Sequence, residues 1–296
     1  MNRKPFEIVI LSGKGGTGKT SLVAAMAGFT GNCVFADCDV DAADLHLIFQ
    51  PQLLKEELFP SGSKAVIDQQ DCTSCGVCMD LCRFYAIQFS HGQYAIDPFA
   101  CEGCGLCVVA CPAEAIRIEE NHLNALVYSH SRFGSLVYGR LGIGEENSGK
   151  LVSEVRKNAR EKAVQTGADW ILVDGPPGIG CPAISSVTGA DLVIAVTEPS
   201  RSGWHDLERL LEMTGKFKTP VGVVINKYDL REEMSEKIEK ALEQRKLPVL
   251  GKIPYEEKVV QALVEGKSLP EALPDHPLTG VFREIWEKIE RMAGDI

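Results

Sequence analysis

The chain has 296 residues, a formal net charge of -10 and 45% hydrophobic residues. This length and apolar content suit one large α/β domain, or a domain with a small module, and the acidic balance argues against non-specific attraction to nucleic acid or anionic lipid. Only Asn2, Arg3 and Lys4 precede a short apolar strand, and no apolar run reaches the roughly 18 residues a membrane helix needs, so the expectation is a cytoplasmic protein with neither membrane nor nucleic-acid partner.

In chain order, short runs that are apolar throughout fall at 6–11, 33–36, 170–174, 191–197, 220–225 and 247–253. Each is bounded by Gly, Pro or Asp, as expected of parallel strands buried on both faces. Helix-like stretches lie between them at about 19–29, 148–166, 204–217 and 231–245. Alternation of the two signals predicts an α/β fold with a doubly wound, mostly parallel sheet. A last helix near 279–293 gathers Val281, Phe282, Ile285, Ile289 and Met292 on one face. Its polar face mixes acid and base without basic excess, so it is expected to pack on the sheet.

The first strand runs directly into Gly13-Lys14-Gly15-Gly16-Thr17-Gly18-Lys19-Thr20, followed by Ser21. This fits the phosphate-loop pattern G-x4-G-K-[ST] between a strand and a helix, the context that gives the pattern its meaning. Glycines let backbone N–H groups turn toward phosphates, Lys19 is placed to reach the β- and γ-phosphates, and the Thr20 hydroxyl to bind Mg²⁺. Asp37 and Asp39 end the second strand, and Asp174 ends the strand at 170–174, where ligands bind in such sheets.

The rhythm breaks between about 64 and 120, where Cys72, Cys75, Cys78 and Cys82 are echoed by Cys101, Cys104, Cys107 and Cys111, each 29 positions later. Gly76 and Gly105, Ala86 and Ala115, and Ile87 and Ile116 repeat with them. A duplicated unit of this kind reads as an inserted module, a small α+β ferredoxin-like one, splitting the larger domain into pieces at 1–63 and 121–296. Crowded cysteines in a reducing compartment read as metal ligands rather than cross-links. The C-x2-C-x2-C-x3-C run, occurring twice, is the bacterial ferredoxin pattern. CxxC pairs also suit tetrahedral zinc, although this triple spacing is not that of a zinc finger.

Lys14, just after the first loop glycine, makes the segment resemble the deviant phosphate loop of the MinD, ParA and nitrogenase iron-protein families, and the chain resembles MinD-superfamily ATPases with an inserted ferredoxin domain. The resemblance implies ATP and Mg²⁺ as ligands, a homodimer when ATP is bound, and Lys14 reaching the partner subunit's phosphates. It implies that Lys19 and Asp174 are catalytic, that Asp39 orients the attacking water, and that Thr20, Asp37 and Asp174 surround Mg²⁺. Asn226 and Pro254 match the adenine-contacting segments. Asn226-Lys227-Tyr228-Asp229 also fits the guanine signature N-K-x-D, so GTP stays open beside ATP. Because the fourth cysteine of each ferredoxin run ligates the other cluster, the resemblance implies two [4Fe–4S] clusters. One would be held by Cys72, Cys75, Cys78 and Cys111, the other by Cys82, Cys101, Cys104 and Cys107.

Arg83 stands where a proline usually follows the fourth cysteine; Pro112 keeps that proline in the second copy. Cys33 and Cys38 read as buried strand residues, and Cys181 as too few ligands for a bridging cluster. The glycine-rich 139–150 segment reads either as a mobile loop at a partner or substrate surface or as a flexible connector whose helix is capped by Ser148. Two functions follow: an ATP-gated enzyme of electron transfer or metallocofactor assembly, working with a redox or assembly partner, and a positioning or scaffold ATPase whose clusters are structural or sensory.

Overall fold

A computed structural model describes residues 4–60, 62–142 and 149–296; Ser148 and the middle half of the glycine-rich connector lie outside them. In chain order the strands are β1 (Phe6–Ser12), β2 (Cys33–Asp37), β3 (Gln52–Phe59), β4 (Gly62–Ile67), β5 (Ile87–Ser90), β6 (Gln93–Ile96), β7 (Ile116–Asn121), β8 (Asn124–Ser131), β9 (Gly134–Arg140), β10 (Trp170–Pro177), β11 (Leu192–Thr197), β12 (Val221–Asn226) and β13 (Val249–Ile253). The helices are α1 (Lys19–Ala27), α2 (Leu45–Phe49), α3 (Val77–Leu81), α4 (Leu106–Ala110), α5 (Gly149–Thr166), α6 (Cys181–Val187), α7 (Arg201–Phe217), α8 (Glu232–Gln244), α9 (Glu257–Val264), α10 (Leu269–Ala272) and α11 (Pro277–Gly294).

The chain divides into two compact units. The first holds its N-terminal stretch to Glu56, Leu126–Arg140 and the C-terminal half from α5 onward. A nine-stranded sheet runs β13-β12-β11-β1-β10-β2-β9-β8-β3, and every pairing from β13 to β9 is parallel. Ile8, Val9, Ile10 and Leu11 in β1, and all of β11, are buried, which is why these strands carry an apolar residue at every position rather than at alternate ones. The doubly wound α/β fold and its six apolar strands are therefore as expected. The sheet goes further at one edge, where β3, β8 and β9 escaped notice. β3 is mostly exposed and carries Lys55 and Glu56, and the apolar runs of β8 (Ala125–Tyr128) and β9 (Leu136–Tyr138) are short and flanked by polar residues, so none stands out as a strand buried throughout. Gly134 opens β9 with φ 130°, and a Cβ there would sit 2.5 Å from the Cys33 carbonyl oxygen, so no other residue fits this turn.

Helix α11 lies on β13: a Cβ at Gly251 would fall 2.4 Å from Ile285, and Trp286 meets Trp170 edge to face at 5.3 Å. Phe282, Ile285, Ile289, Trp286 and Ala293 are buried, while Val281 and Met292 pack at the margin. No helix of the described residues is long and apolar enough to cross a membrane. Beneath the sheet, Glu7 is 2% exposed and accepts from Arg156 Nε at 2.7 Å and Arg160 Nε at 2.6 Å. This triad, in which Glu7 and Arg156 are buried and Arg160 reaches the surface, ties β1 to α5, and Arg156 also donates to the carbonyls of Ser185 and Thr188 around the end of α6.

The second unit covers Glu57–Ala125, with Leu141 and Gly142 returning to it; both junctions lie outside the expected 64 and 120. It contains two antiparallel two-stranded sheets, β4 with β7 and β5 with β6. The first joins the strand before one cysteine run to the strand after the other, and the second does the reverse. Equivalent hydrogen bonds repeat across the duplication: Asp68 N to Ala115 O and Asp97 N to Ala86 O, both 2.7 Å. The repeat read from the sequence is thus an exchange of halves in space.

Candidate phosphate-loop and cysteine sites

In the first unit the loop leaves the C-terminal end of β1 and enters α1 through Gly18, whose φ of 93° requires glycine. Asn226, at the end of β12, donates from Nδ2 to the Thr17 carbonyl at 2.7 Å, and Lys227 Nζ to the Gly16 carbonyl at 3.1 Å. A Cβ at Gly18 would lie 2.3 Å from Asn226, and one at Gly13 2.3 Å from Asp206. The loop is therefore braced from two sides with its amide groups left for a ligand.

The sheet register sets the acids beside this loop. Asp174 pairs with Ile10 on one side and with Asp37 on the other. Thr20 Oγ1 donates to Asp174 Oδ2 at 2.6 Å, while Asp174 Oδ1 is buried with no partner among the described residues. Lys19, 4% exposed, lies 3.4 Å from Asp39 Oδ2. Asp37 accepts from the backbone amides of Asp39 and Leu45, both at 3.1 Å, and so shapes the segment after β2. Burial pushes the Asp174 carboxyl up to about 7 against the pull of Lys19 and Thr20. Burial and the neighbouring Asp174 push Asp37 well above the carboxylate range, and burial raises Asp39 despite Lys19. Asp39 and Asp174 share the charge of Lys19, while Asp37 lies beside Asp174. The Thr20 hydroxyl and the orphaned Asp174 oxygen form an oxygen donor set that suits a hard divalent cation.

Lys14 forms an ion pair with Glu198 at 2.5 Å and a 3.4 Å contact with Ser202 Oγ. Burial would raise the Glu198 carboxyl, but Lys14, with Lys227 3.8 Å away, holds it below its ordinary value. Glu198 was not singled out from the sequence; its place just past a buried parallel strand, the end where ligands bind, was the available signal. A cavity of about 160 Å³ opens beside the loop, and Ser21, Asn226 and Pro254 line it with Tyr255, Val259 and Val260. Asp229 is not in its wall: its carboxylate accepts from the Tyr255 amide at 2.7 Å.

In the second unit the eight cysteines fall into two rings. Cys72, Cys75, Cys78 and Cys111 line one hollow, and Cys82, Cys101, Cys104 and Cys107 line another of about 270 Å³. Gly76 (φ 83°) and Gly105 (φ 75°) turn the chain into α3 and α4 after the second cysteine of each run. Backbone amides of Ala65 and Gly103 reach Cys101 Sγ at 3.5 and 3.4 Å, and that of Ala115 reaches Cys111 Sγ at 3.4 Å. Burial pushes the Cys78 and Cys107 thiols up, and neighbouring cysteines of the same ring push further. Among the described residues no three Cys, His, Asp or Glu side chains close on a single-ion point; these thiols surround hollows. The donor set, four soft sulfurs with amide support around a space, suits a multinuclear thiophilic centre. Cys33 and Cys38 are buried, and Cys181 is exposed.

Residues 8–269 match the CobQ/CobB/MinD/ParA nucleotide binding domain. This chain belongs to that family. An uncharacterized protein of Methanocaldococcus jannaschii is 35% identical over 229 residues, 75% of this chain and 78% of that one. The cytosolic Fe-S cluster assembly factor NUBP1 homolog of Caenorhabditis briggsae is 27% identical over 171 residues, 50% of this chain and 55% of that protein. Among solved structures, the cell division ATPase MinD of Pyrococcus furiosus aligns with a TM-score of 0.57 at 20% identity, covering 97% of this chain and 99% of that one. The septum site-determining protein MinD of Pyrococcus horikoshii, complexed with Mg-ADP, aligns with 0.58 at 19% identity, covering 98% of each. These likenesses establish a MinD-like α/β fold for the CobQ/CobB/MinD/ParA-type chain.

Proposed function

We propose that this protein binds and hydrolyses ATP with Mg²⁺ as a nucleotide-dependent homodimer, and that it carries two [4Fe–4S] clusters used in electron transfer or metallocofactor assembly. The sorting of eight cysteines into two rings that cross the repeat carries the reading, because it supplies two complete four-sulfur ligand sets in one chain with a phosphate loop. Cys72, Cys75, Cys78 and Cys111 hold one cluster, and Cys82, Cys101, Cys104 and Cys107 the other. Bound clusters supply one-electron chemistry.

On the nucleotide side, amide groups of Gly13–Thr20 bind the phosphates and Lys19 neutralises their charge. Thr20 and Asp174 hold Mg²⁺, whose charge relieves the crowding of Asp37, Asp39 and Asp174. A phosphate that draws Lys19 away frees Asp39 to orient the attacking water. Lys14 leaves Glu198 and acts on the partner subunit's phosphates, as an added cation stabilising the transferring group. Ser21, Asn226 and Pro254 flank the adenine; Asp229 lies outside the lining of this cavity, which favours adenine over guanine. The partial similarity to an Fe-S assembly factor homolog supports the cluster half of this reading. The experiment is Lys19→Ala in anaerobically purified protein. ATP hydrolysis is expected to vanish while iron and sulfide stay at the wild-type level; loss of iron as well would contradict separable sites.

A further inference from the structure

The duplicated unit contains its own internal control. After the fourth cysteine, one copy reads Cys82-Arg83-Phe84-Tyr85-Ala86-Ile87 and the other Cys111-Pro112-Ala113-Glu114-Ala115-Ile116. The two segments share one backbone: Cys82 and Cys111 both have φ -74°, with ψ 107° and 111°. Tyr85 and Glu114 have φ 52° and 51°, and their amides donate to the carbonyls of Cys82 and Cys111 at 3.3 and 3.1 Å. The turn therefore forms equally well with alanine and glutamate, and the rings of Phe84 and Tyr85 are not needed to fold it.

Yet those rings are left in water. Tyr85 is 86% exposed and Phe84 44%, so their apolar surface forgoes the stabilisation that burial would return. Arg83, Phe84, Leu81 and Leu106 line the mouth of the hollow ringed by Cys82, Cys101, Cys104 and Cys107, with Glu102 among them. The equivalent positions at the other hollow are the small Pro112 and Ala113. One of two near-identical sites has thus acquired an aromatic, apolar rim. The mouth itself carries one charge of each sign, Arg83 and Glu102, but the unit that bears it is acidic: between 64 and 120 the chain has eight carboxylates against three cations. Lys64 donates to the Cys101 carbonyl and Arg117 to Glu119.

We propose that the mouth lined by Phe84, with the exposed Tyr85 next to it in the chain, is the docking face for a redox protein with an apolar centre ringed by Lys and Arg, and that electrons leave through the Cys82 ring rather than the Cys72 ring. This rests on the cluster reading above. An acidic field steers a basic partner, and exposed aromatics at the centre of the contact hold it.

Oxidised cytochrome c, a basic haem protein, serves as the probe. The holo-protein is reduced with dithionite and mixed in stopped flow, so that one electron from a reduced cluster reduces one ferric haem and no bond is made or broken. Affinity is measured separately by titration calorimetry with both proteins oxidised. The rate is expected to fall with rising salt. Phe84→Ala with Tyr85→Asn is expected to lower both rate and affinity at least about tenfold with iron and sulfide unchanged, while Val77→Ala, at the other hollow, alters neither. Full clusters with wild-type rate and affinity in the double variant, or an equal loss in Val77→Ala, would overturn the inference. Wild-type protein without cluster iron would overturn the underlying reading and this one with it.

Discussion

Lys14 and Glu7 show how differently two charged residues of similar partnership behave. Lys14 is a third exposed, and its ion pair with Glu198 sits at the surface of the loop, where such contacts contribute little to stability. Its removal is expected to spare the fold and nucleotide binding. Lys14→Ala should nevertheless lose turnover by roughly 10³-fold, as when a cation acting across an interface is lost. Hydrolysis per chain should also rise with protein concentration in the wild type; a concentration-independent rate insensitive to Lys14→Ala would refute that role. Glu7 is the opposite case. It is buried against Arg156 and Arg160, and Glu7→Ala would strand an Arg156 guanidinium that is itself only 3% exposed. Chemical denaturation is expected to show a loss of about 3–5 kcal/mol, with little of it recovered by salt.

Between elements, legibility followed the strength of the local rule. The phosphate loop was readable because each residue type is dictated by phosphate chemistry, and with it α1, which follows the loop and is buried nearly all round, while α5, α7 and α8 hold a helical period between strands. Asn226 was placed beside the loop, but its bracing of the Thr17 carbonyl was not foreseen, since it depends on β12 and β1 lying two strands apart in the sheet. Glu198 went unnoticed because its partner Lys14 is distant in sequence, and the edge strands β3, β8 and β9 because their apolar runs are short and broken by polar residues. In the cysteine unit the exchange of β4 with β7 and of β5 with β6 brings Cys111 to the ring of Cys72 and Cys82 to the ring of Cys101. Cys111→Ser is therefore expected to disturb the cluster of Cys72, Cys75 and Cys78, not that of its sequence neighbours Cys101, Cys104 and Cys107. EPR of Cys111→Ser and Cys104→Ser, each leaving one unaltered cluster, should give complementary spectra; identical spectra would contradict the crossing.

At the scale of the whole molecule, the phosphate loop's unit and the cysteine unit are joined by several chain crossings, one of which starts at the acids beside the loop. From Asp39 the chain runs through α2 and β3 directly into the second unit at Glu57, and Asp39 sits on the lysine that a phosphate would claim. For ATP to govern the clusters it must favour one arrangement of this path over another, and a coupling of about 1–3 kcal/mol is of ordinary size. Expressed in a one-electron potential, that is roughly 40–130 mV. The direct measurement is an anaerobic redox titration of the holo-protein followed by EPR, without nucleotide, with ADP and with a non-hydrolysable ATP analogue. The account predicts that the analogue shifts at least one cluster potential by an amount in that range relative to ADP. Superimposable titrations in all three states would contradict it, leaving an ATPase that carries its clusters without controlling them.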